Sequence, residues 1–525
     1  MKKRHTRLVS FIAVPVLIFA MGVLFIPVIF SSAITRYIEN TVEKKIGSQL
    51  DQASGDSLSI NIQELKFSLF PITVSTPEIS VYAATNALNK NSTALPCNYV
   101  YEAAVINLEI SLKPLVLIAL GFKNLNVNRL QSDNIYFSTK CLSKKTGAAF
   151  NSRLKIQSGP ILFKGKIELP AQDNNGVENL KFKQHSFQAA NLSFISSQNL
   201  YSFHIDSISF DGSMKTLNLE KVKMLPKYAK EELYRHVDFE TNSIETRLDN
   251  IEIKGLQTQI ENGKRGLMIS RINIRNGLID VFRDKRPPFN MERRPAMPAR
   301  LILSAPIDLF IAEINISQTS ILYSQFPENG SESEFHESSG NLSFNRLSAT
   351  VRNITNIADS LQQDSIMHII AEAHIYDVAL LRADFRYNLK DIDGGYMAEV
   401  NVSEFQFETI NPVLYPLTGI KVARGTHKSS LLSFTGNDTE SNGELYMEWD
   451  DLMLNFKPKT SGLITDITNS FGKIIYNQSN PDDATKSPTG SIYYKRDISR
   501  FVFHYWWNCY LSGIKNSVLP DFVPL

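Results

Sequence analysis

The stretch LKFSLFPITVSTPEISVY, residues 65–82, combines a strand pattern with a break. Its apolar residues alternate with polar or charged ones, which is the period of two expected for a strand with one apolar face. These apolar residues are Leu65, Phe67, Leu69, Ile72 and Val74. Pro71 interrupts the run, and a proline is tolerated at a bend or an edge, where its missing amide donor costs little. The stretch therefore predicts one-sided strands on both sides of a break.

The period of two continues along most of the chain from about residue 57. Leu58, Ile60 and Ile62 follow it first, and a slip in parity near Gln63–Glu64 predicts a bulge or tight bend. The pattern returns in segments 105–112, 125–130, 134–140, 202–210 and 244–256. Helical stretches are few and are predicted at 227–237, 353–363 and 410–418. The sequence thus predicts a mainly β protein.

A similar segment occurs three times, as LNVNRLQSDNIYF at 125–137, INIRNGLIDVF at 272–282 and INISQTSILY at 314–323. Each copy has an alternating segment, a polar middle and a second segment that ends in an aromatic residue. This pattern predicts a recurring hairpin or bent strand. The irregular spacing of the copies argues against a strict repeat array.

The N-terminus predicts a membrane anchor. Residues 1–7, MKKRHTR, form a basic tail, and residues 8–30 carry no charge over a length that spans a bilayer as a helix. The basic flank predicts that the tail is cytoplasmic and the rest of the chain lies across the membrane. The alternative is a cleaved signal peptide, since Ser31-Ser32-Ala33 resembles a cleavage site. Residues 31–56 continue as an amphipathic helix.

Composition narrows the function classes. The 525 residues carry a net charge of +2, which disfavours nucleic-acid binding, and the 43% hydrophobic content excludes wholesale disorder. The three cysteines are too few for a disulfide scaffold. Cys97 and Cys141 lie in polar sequence and are the candidate pair in an oxidising compartment, whereas the alternative is that both, with Cys509, are free thiols.

Two interruptions divide the strand pattern. Residues 283–300 contain six basic residues, two acids and four prolines, which predicts an exposed basic loop. Residues 479–488 predict a linker. The boundaries give β segments at 57–282 and 301–478 and a C-terminal piece at 479–525. The basic residues are candidates for contact with anionic headgroups or an acidic partner, the alternative being a solvated loop. They are Arg283, Lys285, Arg286, Arg293 and Arg294.

The most aromatic segment is RFVFHYWWNCYLSGIKNSVLP, residues 500–520. The segment is predicted as an aromatic strand or helix. As a strand, it places Phe501, Phe503, Tyr505 and Trp507 on one face and Trp506 on the other. Such a ribbon either packs in a core or, if exposed, contacts a partner or a membrane interface.

Catalytic and metal-binding motifs are absent from the sequence, including GxSxG, HExxH, GxGxxG and the Walker motif. His368, Glu372 and His374 share one strand face, but polar residues on a wet face explain them better than a metal site does. Asp450 and its acidic neighbours lack the spaced oxygens of a calcium loop. The sequence therefore predicts no catalytic residue, metal or cofactor, and a non-enzymatic protein.

The order of these features resembles the start of AsmA-like proteins of Gram-negative envelopes. The resemblance rests on an anchor, a short helix and then the strand, proline and strand of Leu65–Tyr82. It continues through AVINLEISLKPLV at 104–116 and GFKNLNVNRLQSDNIYF at 121–137, and it is strongest over residues 1–140. The later segments 274–284 and 443–456 also resemble longer envelope relatives. These motifs are structural, and none carries a catalytic residue.

The resemblance implies an elongated, curled antiparallel β-sheet whose apolar concave face binds phospholipid acyl chains, as in bridge-like lipid-transfer proteins. It implies a single-pass inner-membrane protein with its bulk in the periplasm, acting in outer-membrane or envelope biogenesis. The lipid-facing candidates are Leu65, Phe67, Leu69, Ile72, Val74, Ile272, Ile274, Ile314 and Ile316. The alternative is a non-enzymatic scaffold that binds envelope proteins. An envelope hydrolase is disfavoured because no nucleophile and base can be assigned.

Overall fold

A computed structural model describes residues 58–69, 72–84, 97–112, 127–143, 149–168, 181–195, 200–261, 264–328, 339–456, 478–481 and 488–518. The predicted tail, anchor and amphipathic helix at 1–56 lie outside these residues, as does Pro71. In the described part, no helix has the length and apolar character needed to cross a bilayer. Most of the described residues belong to strands, so the prediction of a mainly β protein is confirmed.

The chain divides into two compact units. Unit 1 holds the described residues up to Ile195 and Ser207–Ser213, and unit 2 holds Leu200–Asp206 and the described residues from Met214. The division falls within strand β10, Tyr201–Asp211, whereas the sequence analysis placed boundaries at 283–300 and 479–488.

Unit 1 contains nine strands before β10. They are β1 Leu58–Gln63, β2 Lys66–Leu69, β3 Ile72–Ala84, β4 Cys97–Leu112, β5 Val127–Ser132, β6 Asn134–Ser143, β7 Ala149–Ser158, β8 Ile161–Glu168 and β9 Lys181–Ile195. All the pairings among them are antiparallel. The stretch quoted first forms the pair β2–β3, in which Leu69 lies opposite Ile72.

The predicted slip near Gln63–Glu64 is confirmed. β1 ends at Gln63, Glu64 has φ 33°, and β2 begins at Lys66. The partner strand β3 continues without a break, and Gln63 lies opposite Glu78 and Lys66 opposite Ser75. The buried Thr76 hydroxyl of β3 donates to the Gln63 carbonyl at this point. The interruption between β1 and β2 therefore leaves the register with β3 unchanged.

Cys97 and Cys141 lie on neighbouring strands of this unit. The register of β4 and β6 places Cys97 opposite Ser143 and Cys141 opposite Tyr99. The two cysteines are thus diagonal neighbours and not directly opposed, and their pairing stays a prediction.

The described residues of unit 2 form the remaining strands and four α-helices. The strands are β11 Thr216–Pro226, β12 Asn242–Lys254, β13 Gln257–Glu261, β14 Lys264–Ile269, β15 Arg271–Asp284, β16 Asp308–Phe326, β17 Gly340–Thr355, β18 Ile366–Ile375, β19 Ala379–Asn388, β20 Tyr396–Val402, β21 Phe405–Gln406, β22 Ile420–Gly436, β23 Glu440–Phe456 and β24 Thr489–Lys495. The helices are α1 Pro298–Leu303, α2 Ala358–Gln363, α3 Asn411–Thr418 and α4 Val502–Val518.

Short helical turns accompany these elements. A 3₁₀ turn at Leu233–His236 lies in the segment predicted as helix at 227–237, and another at Phe407–Ile410 leads into α3. Helices α2 and α3 lie in the segments predicted at 353–363 and 410–418. The predicted short helices are therefore confirmed, although the first is only one turn long.

The main pairings of unit 2 run in the order β11, β12, β15, β16, β17, β18, β19, β20, β22, β23 and β24. The prediction of a purely antiparallel sheet is wrong, because β15 and β16 run parallel, with Ile272 opposite Ile314 and Ile274 opposite Ile316. β14 also pairs with β16 in parallel. The unit is a mixed sheet.

The predicted basic loop at 283–300 is a loop between β15 and α1, but it is not exposed throughout. Parallel neighbours need a long crossover connection, and residues 285–307 supply it between β15 and β16. Within this connection, Met297 and Ala299 are both 1% exposed and belong to the hydrophobic core. Arg496 donates from Nη2 to the Pro295 carbonyl at 2.7 Å, and Arg300 Nε pairs with Asp438 at 2.7 Å. The basic residues therefore lie at the end of β15 and in a connection that packs on the sheet.

The three similar segments are bent strands, and the hairpin alternative is wrong. In β15 and β16 the polar middles contain Asn276 with φ 54° and Gln318 with φ 51°, at the same level of the parallel pair. In the earliest copy β5 and β6 both pair with β4, and Asp133 between them accepts from Asn107 Nδ2 at 2.7 Å. Asn107 has φ 50°. In β15 and β16 the left-handed residue lies in the polar middle, whereas in the earliest copy it lies on the partner strand β4. In all three copies the pairing continues past this point.

The C-terminal aromatic segment is a helix, so of the two predicted alternatives the helix agrees with the structure and the strand face is wrong. Helix α4 packs on β24 and β23. Its period of 3.6 separates residues that a strand would place together. Tyr505 and Cys509 are buried, whereas Phe503 and Trp507 are exposed.

Candidate functional site: an apolar sheet face

Two rows of apolar side chains cross the unit 2 sheet. Directly paired residues share one face of a sheet, so each row follows from the register. The first row is Leu219, Ile251, Ile274, Ile316, Ala349, Ala371, Ala383, Val400, Leu432 and Leu445. The second row is Leu217, Ile253, Ile272, Ile314, Val351, Ile369, Phe385, Ala398 and Phe434. Their strands thus contribute to one continuous apolar face.

The opposite face carries paired charges. Glu313 on β16 accepts from Arg271 at 2.9 Å and from Arg352 at 3.1 Å. Further along, His368 Nε2 lies 3.0 Å from Asp384, and Arg386 also pairs with this carboxylate. Burial alone would raise the pKa of Asp384, but the hydrogen bonds and charges of His368 and Arg386 lower it. This is a wet face, with charges in alternating sign along neighbouring strands.

Over β18–β24 the apolar face is covered by a packed core. The Trp506 ring of α4 lies 4.4 Å from the Phe385 ring, and the buried Tyr505 ring meets Tyr396 edge-on at 6.3 Å. Gly513 allows the helix close to the sheet, since a Cβ there would lie 2.6 Å from Leu445 Cβ. Met297 from the crossover joins the same core. Over these strands, α4 and the crossover cover the apolar face.

Over β11, β12, β15 and β16 the same face is incompletely covered. We call its eight residues the open apolar face: Leu217, Leu219, Ile251, Ile253, Ile272, Ile274, Ile314 and Ile316. All eight are half-buried, and Ile314 alone packs against the core cluster. In the described residues, no helix packs broadly on β11, β12 or β15. Each of the eight side chains therefore keeps part of its surface in contact with solvent.

Unit 1 repeats the arrangement. Its register joins Phe67, Val74, Ile110, Leu130, Phe163 and Phe187 in one row across six strands. A second row joins Ile60, Val81, Ala103, Phe137, Ile156 and Phe194. Among the described residues of this unit, the fully buried hydrophobic ones are Leu65, Val100 and Ala189. Unit 1 thus has apolar rows but few buried side chains.

The structure brings the predicted lipid-facing residues together within each unit. Ile272, Ile274, Ile314 and Ile316 form adjacent parallel pairs on the open apolar face. In unit 1, Phe67 pairs with Val74 and Leu69 with Ile72, while Leu65 is buried. The sequence predicts each of these residues from its own strand. It does not predict the rows, because the alternation of apolar and polar residues does not show which strands pair.

The predicted interface residues separate into two groups. Phe501, Phe503 and Trp507 are exposed, whereas Tyr505 and Trp506 pack into the core. Among the basic residues, Arg283 pairs with Glu240 at 2.5 Å, and Arg286 pairs with Asp284 at 2.5 Å with its guanidinium 3.5 Å from the Tyr234 ring. Lys285 is half-buried, Arg294 is exposed, and Arg293 lies over the Phe501 ring.

Most of the acidic groups considered as metal ligands pair with basic side chains. Glu372 accepts from Arg382 at 2.9 Å, and the acids Asp450 and Asp451 pair with Lys428 and Arg424. Within the described ranges, no group of three or more histidine, cysteine or acidic residues is placed to hold a metal ion.

No model of a known protein family matches the chain, and no curated protein matches it.

Proposed function

We propose that the protein is a membrane-anchored, periplasmic lipid-binding or lipid-transfer protein of the AsmA-like type, acting in outer-membrane or envelope biogenesis. The open apolar face is the observation that supports it, because its rows continue those of a packed core where no described element completes the cover. An acyl chain is the ligand whose chemistry matches such a surface. The resemblance of residues 1–140 to AsmA-like proteins points the same way.

The energetics favour a long apolar ligand. Four strands at a spacing of ~4.8 Å give a face about 14 Å across, which accommodates an extended alkyl chain. Each methylene taken out of water contributes about 0.8 kcal/mol. The aliphatic side chains of the face cannot form hydrogen bonds, so they are expected to discriminate poorly between acyl chains of different structure. The proposal assigns residues that bind and none that reacts, so it is non-enzymatic.

Lipid occupancy tests the proposal. The full chain is purified in mild detergent, and co-purifying lipid is extracted and quantified by mass spectrometry. Ile316→Asp places a carboxylate on the open apolar face and is expected to reduce lipid per protein at least several-fold. Ser317→Asp is the matched control, because it lies on the wet face opposite Arg275. The control is expected to keep wild-type occupancy.

A second variant covers the case in which Ile316→Asp fails to fold. Ile274→Trp adds no charge and fills space above the open apolar face, and it is expected to reduce occupancy while circular dichroism stays native. Absence of lipid from the folded wild type, or equal occupancy in all folded variants, contradicts the proposal.

A further inference from the structure

Helix α4 carries a stripe of exposed apolar residues in addition to the residues that pack into the core. Phe503 is 73% exposed, Trp507 54% and Leu511 39%. These residues are spaced by four, so they follow one another along a single helix face. Phe501, at 51% exposure just before the helix, adds a further aromatic ring. A patch of large apolar side chains at this exposure is typical of an interaction surface.

Basic side chains lie at both ends of the stripe. The helix itself, Val502–Val518, contains no acidic residue, and the exposed Lys515 continues the stripe by one more step of four. At the other end, the Arg293 guanidinium lies 4.9 Å from the Phe501 ring, and the exposed Arg294 follows it. Asp497, before the helix, is already engaged by Ser499 and lies 3.7 Å from Arg500.

We propose that the Phe503–Trp507–Leu511 stripe docks on an anionic lipid bilayer. Aromatic rings flanked by lysine and arginine suit the bilayer interface, where the rings enter the headgroup layer and the cations meet anionic lipid. The basic side chains at both ends of the stripe favour an anionic surface as its occupant. This docking site is separate from the open apolar face, so it does not depend on lipid occupancy there.

Trp507 supplies a site-specific probe. Trp449 is 1% exposed and Trp506 packs against Phe385, so a quencher held in a bilayer reaches Trp507 first. The full chain is placed in proteoliposomes of unlabelled lipid, which accommodate the predicted anchor. These are mixed with acceptor vesicles of brominated phosphatidylcholine, with or without phosphatidylglycerol. Tryptophan emission is then recorded.

Anionic acceptor vesicles are expected to quench Trp507 and shift its emission to the blue, whereas neutral vesicles do so several-fold less. Added salt is expected to weaken the effect, because it screens exposed charges. Phe503→Ser with Leu511→Ser is expected to abolish quenching. Ile392→Ser, at an 82% exposed position of the β19–β20 turn, is the matched control and keeps it.

Three outcomes overturn the proposal. Equal quenching by neutral and anionic vesicles removes the role of charge. A blue shift that depends on protein concentration without acceptor vesicles shows that a second copy covers the stripe. Emission that vesicles leave unchanged removes bilayer docking altogether, and loss of a co-purifying protein on Phe503→Ser would then assign the stripe to a protein partner.

Discussion

His427 is a buried imidazole whose environment opposes a charge. His427 is on β22, opposite Trp449 of β23. Its Nδ1 is 3.1 Å from the Ser403 carbonyl oxygen, and the rings of Phe405 and Phe407 lie beside the imidazole. Burial lowers the pKa of His427 to about 4, from 6.5. Because the folded pKa is the lower one, the unfolded chain binds the proton first as the pH falls.

Stability is therefore expected to fall between pH 6.5 and about pH 4. From about pH 7.5 to about pH 5 the loss from His427 amounts to about 2 kcal/mol of unfolding free energy. His427→Leu cannot take up the proton, so it is expected to lose that part of the pH slope while costing a constant amount at every pH. Urea unfolding at a series of pH values measures both curves. Parallel curves for the two proteins would contradict the assignment.

Gly443 shows how closely neighbouring strands approach on the covered face. A Cβ at this position would overlap the backbone at Ser433 and Phe434, which cannot swing away. Gly443→Ala is expected to cost about 2 kcal/mol or more. Gly395→Ala is the matched control, since its Cβ would meet only the mobile carboxylate of Asp391, and about 0.5 kcal/mol or less is expected. Chemical denaturation compares them, and equal costs would show that the strands can separate.

At the scale of elements, the clearest test concerns helix α4. A strand would place Phe503 and Tyr505 on one face, whereas the helix exposes Phe503 and buries Tyr505. Tyr505→Ala is therefore expected to cost about 3 kcal/mol or more, because it opens a cavity in the core. Phe503→Ala is expected to change stability by about 0.5 kcal/mol or less. Thermal or urea unfolding of the two variants gives the comparison, and similar losses would favour the strand.

The error at this helix has a physical cause. Aromatic residues are common in strands, and an alternation over a few residues fits both periods. The longer pattern separates them, because Tyr505, Cys509 and Gly513 recur at intervals of four and all are buried. Packing on β23 and β24 then overrides the weak helix propensity of the aromatic residues.

The crossover at 285–307 shows a different limit. Its prolines and arginines have the composition of a loop, and the sequence predicted one. The composition does not show that β15 and β16 are parallel, which requires the connection between them to return along the sheet. The signal was the similarity of INIRNGLIDVF and INISQTSILY, whose matching residues Ile272 and Ile314 lie side by side in the parallel pair.

At the scale of the molecule, alternation predicted the mainly β class and the individual apolar residues of the candidate site. It did not predict which residues become neighbours, because a row such as Leu219, Ile251, Ile274 and Ile316 depends on pairings between distant strands. It also could not separate the covered face from the open one. Leu432 and Ile274 have the same local pattern, and only the position of α4 and the crossover distinguishes their surroundings.

This division of one apolar face predicts an uneven pattern of protection from hydrogen exchange. Amides of β19–β23 lie beside a packed core, whereas those of β11 and β12 lie beside half-buried residues. Local opening is less costly where fewer apolar contacts are lost, so peptides from β11 and β12 are expected to exchange faster.

Added phospholipid is expected to slow exchange in β11, β12 and β15, because bound acyl chains supply the missing contacts. Peptides from β19–β23 are expected to change little, since their face is already occupied by Trp506 and Tyr505. Mass spectrometry of the full chain in detergent, with and without lipid, measures both. A lipid effect of equal size on the two groups would indicate general stabilisation by the micelle and would contradict binding at the open apolar face.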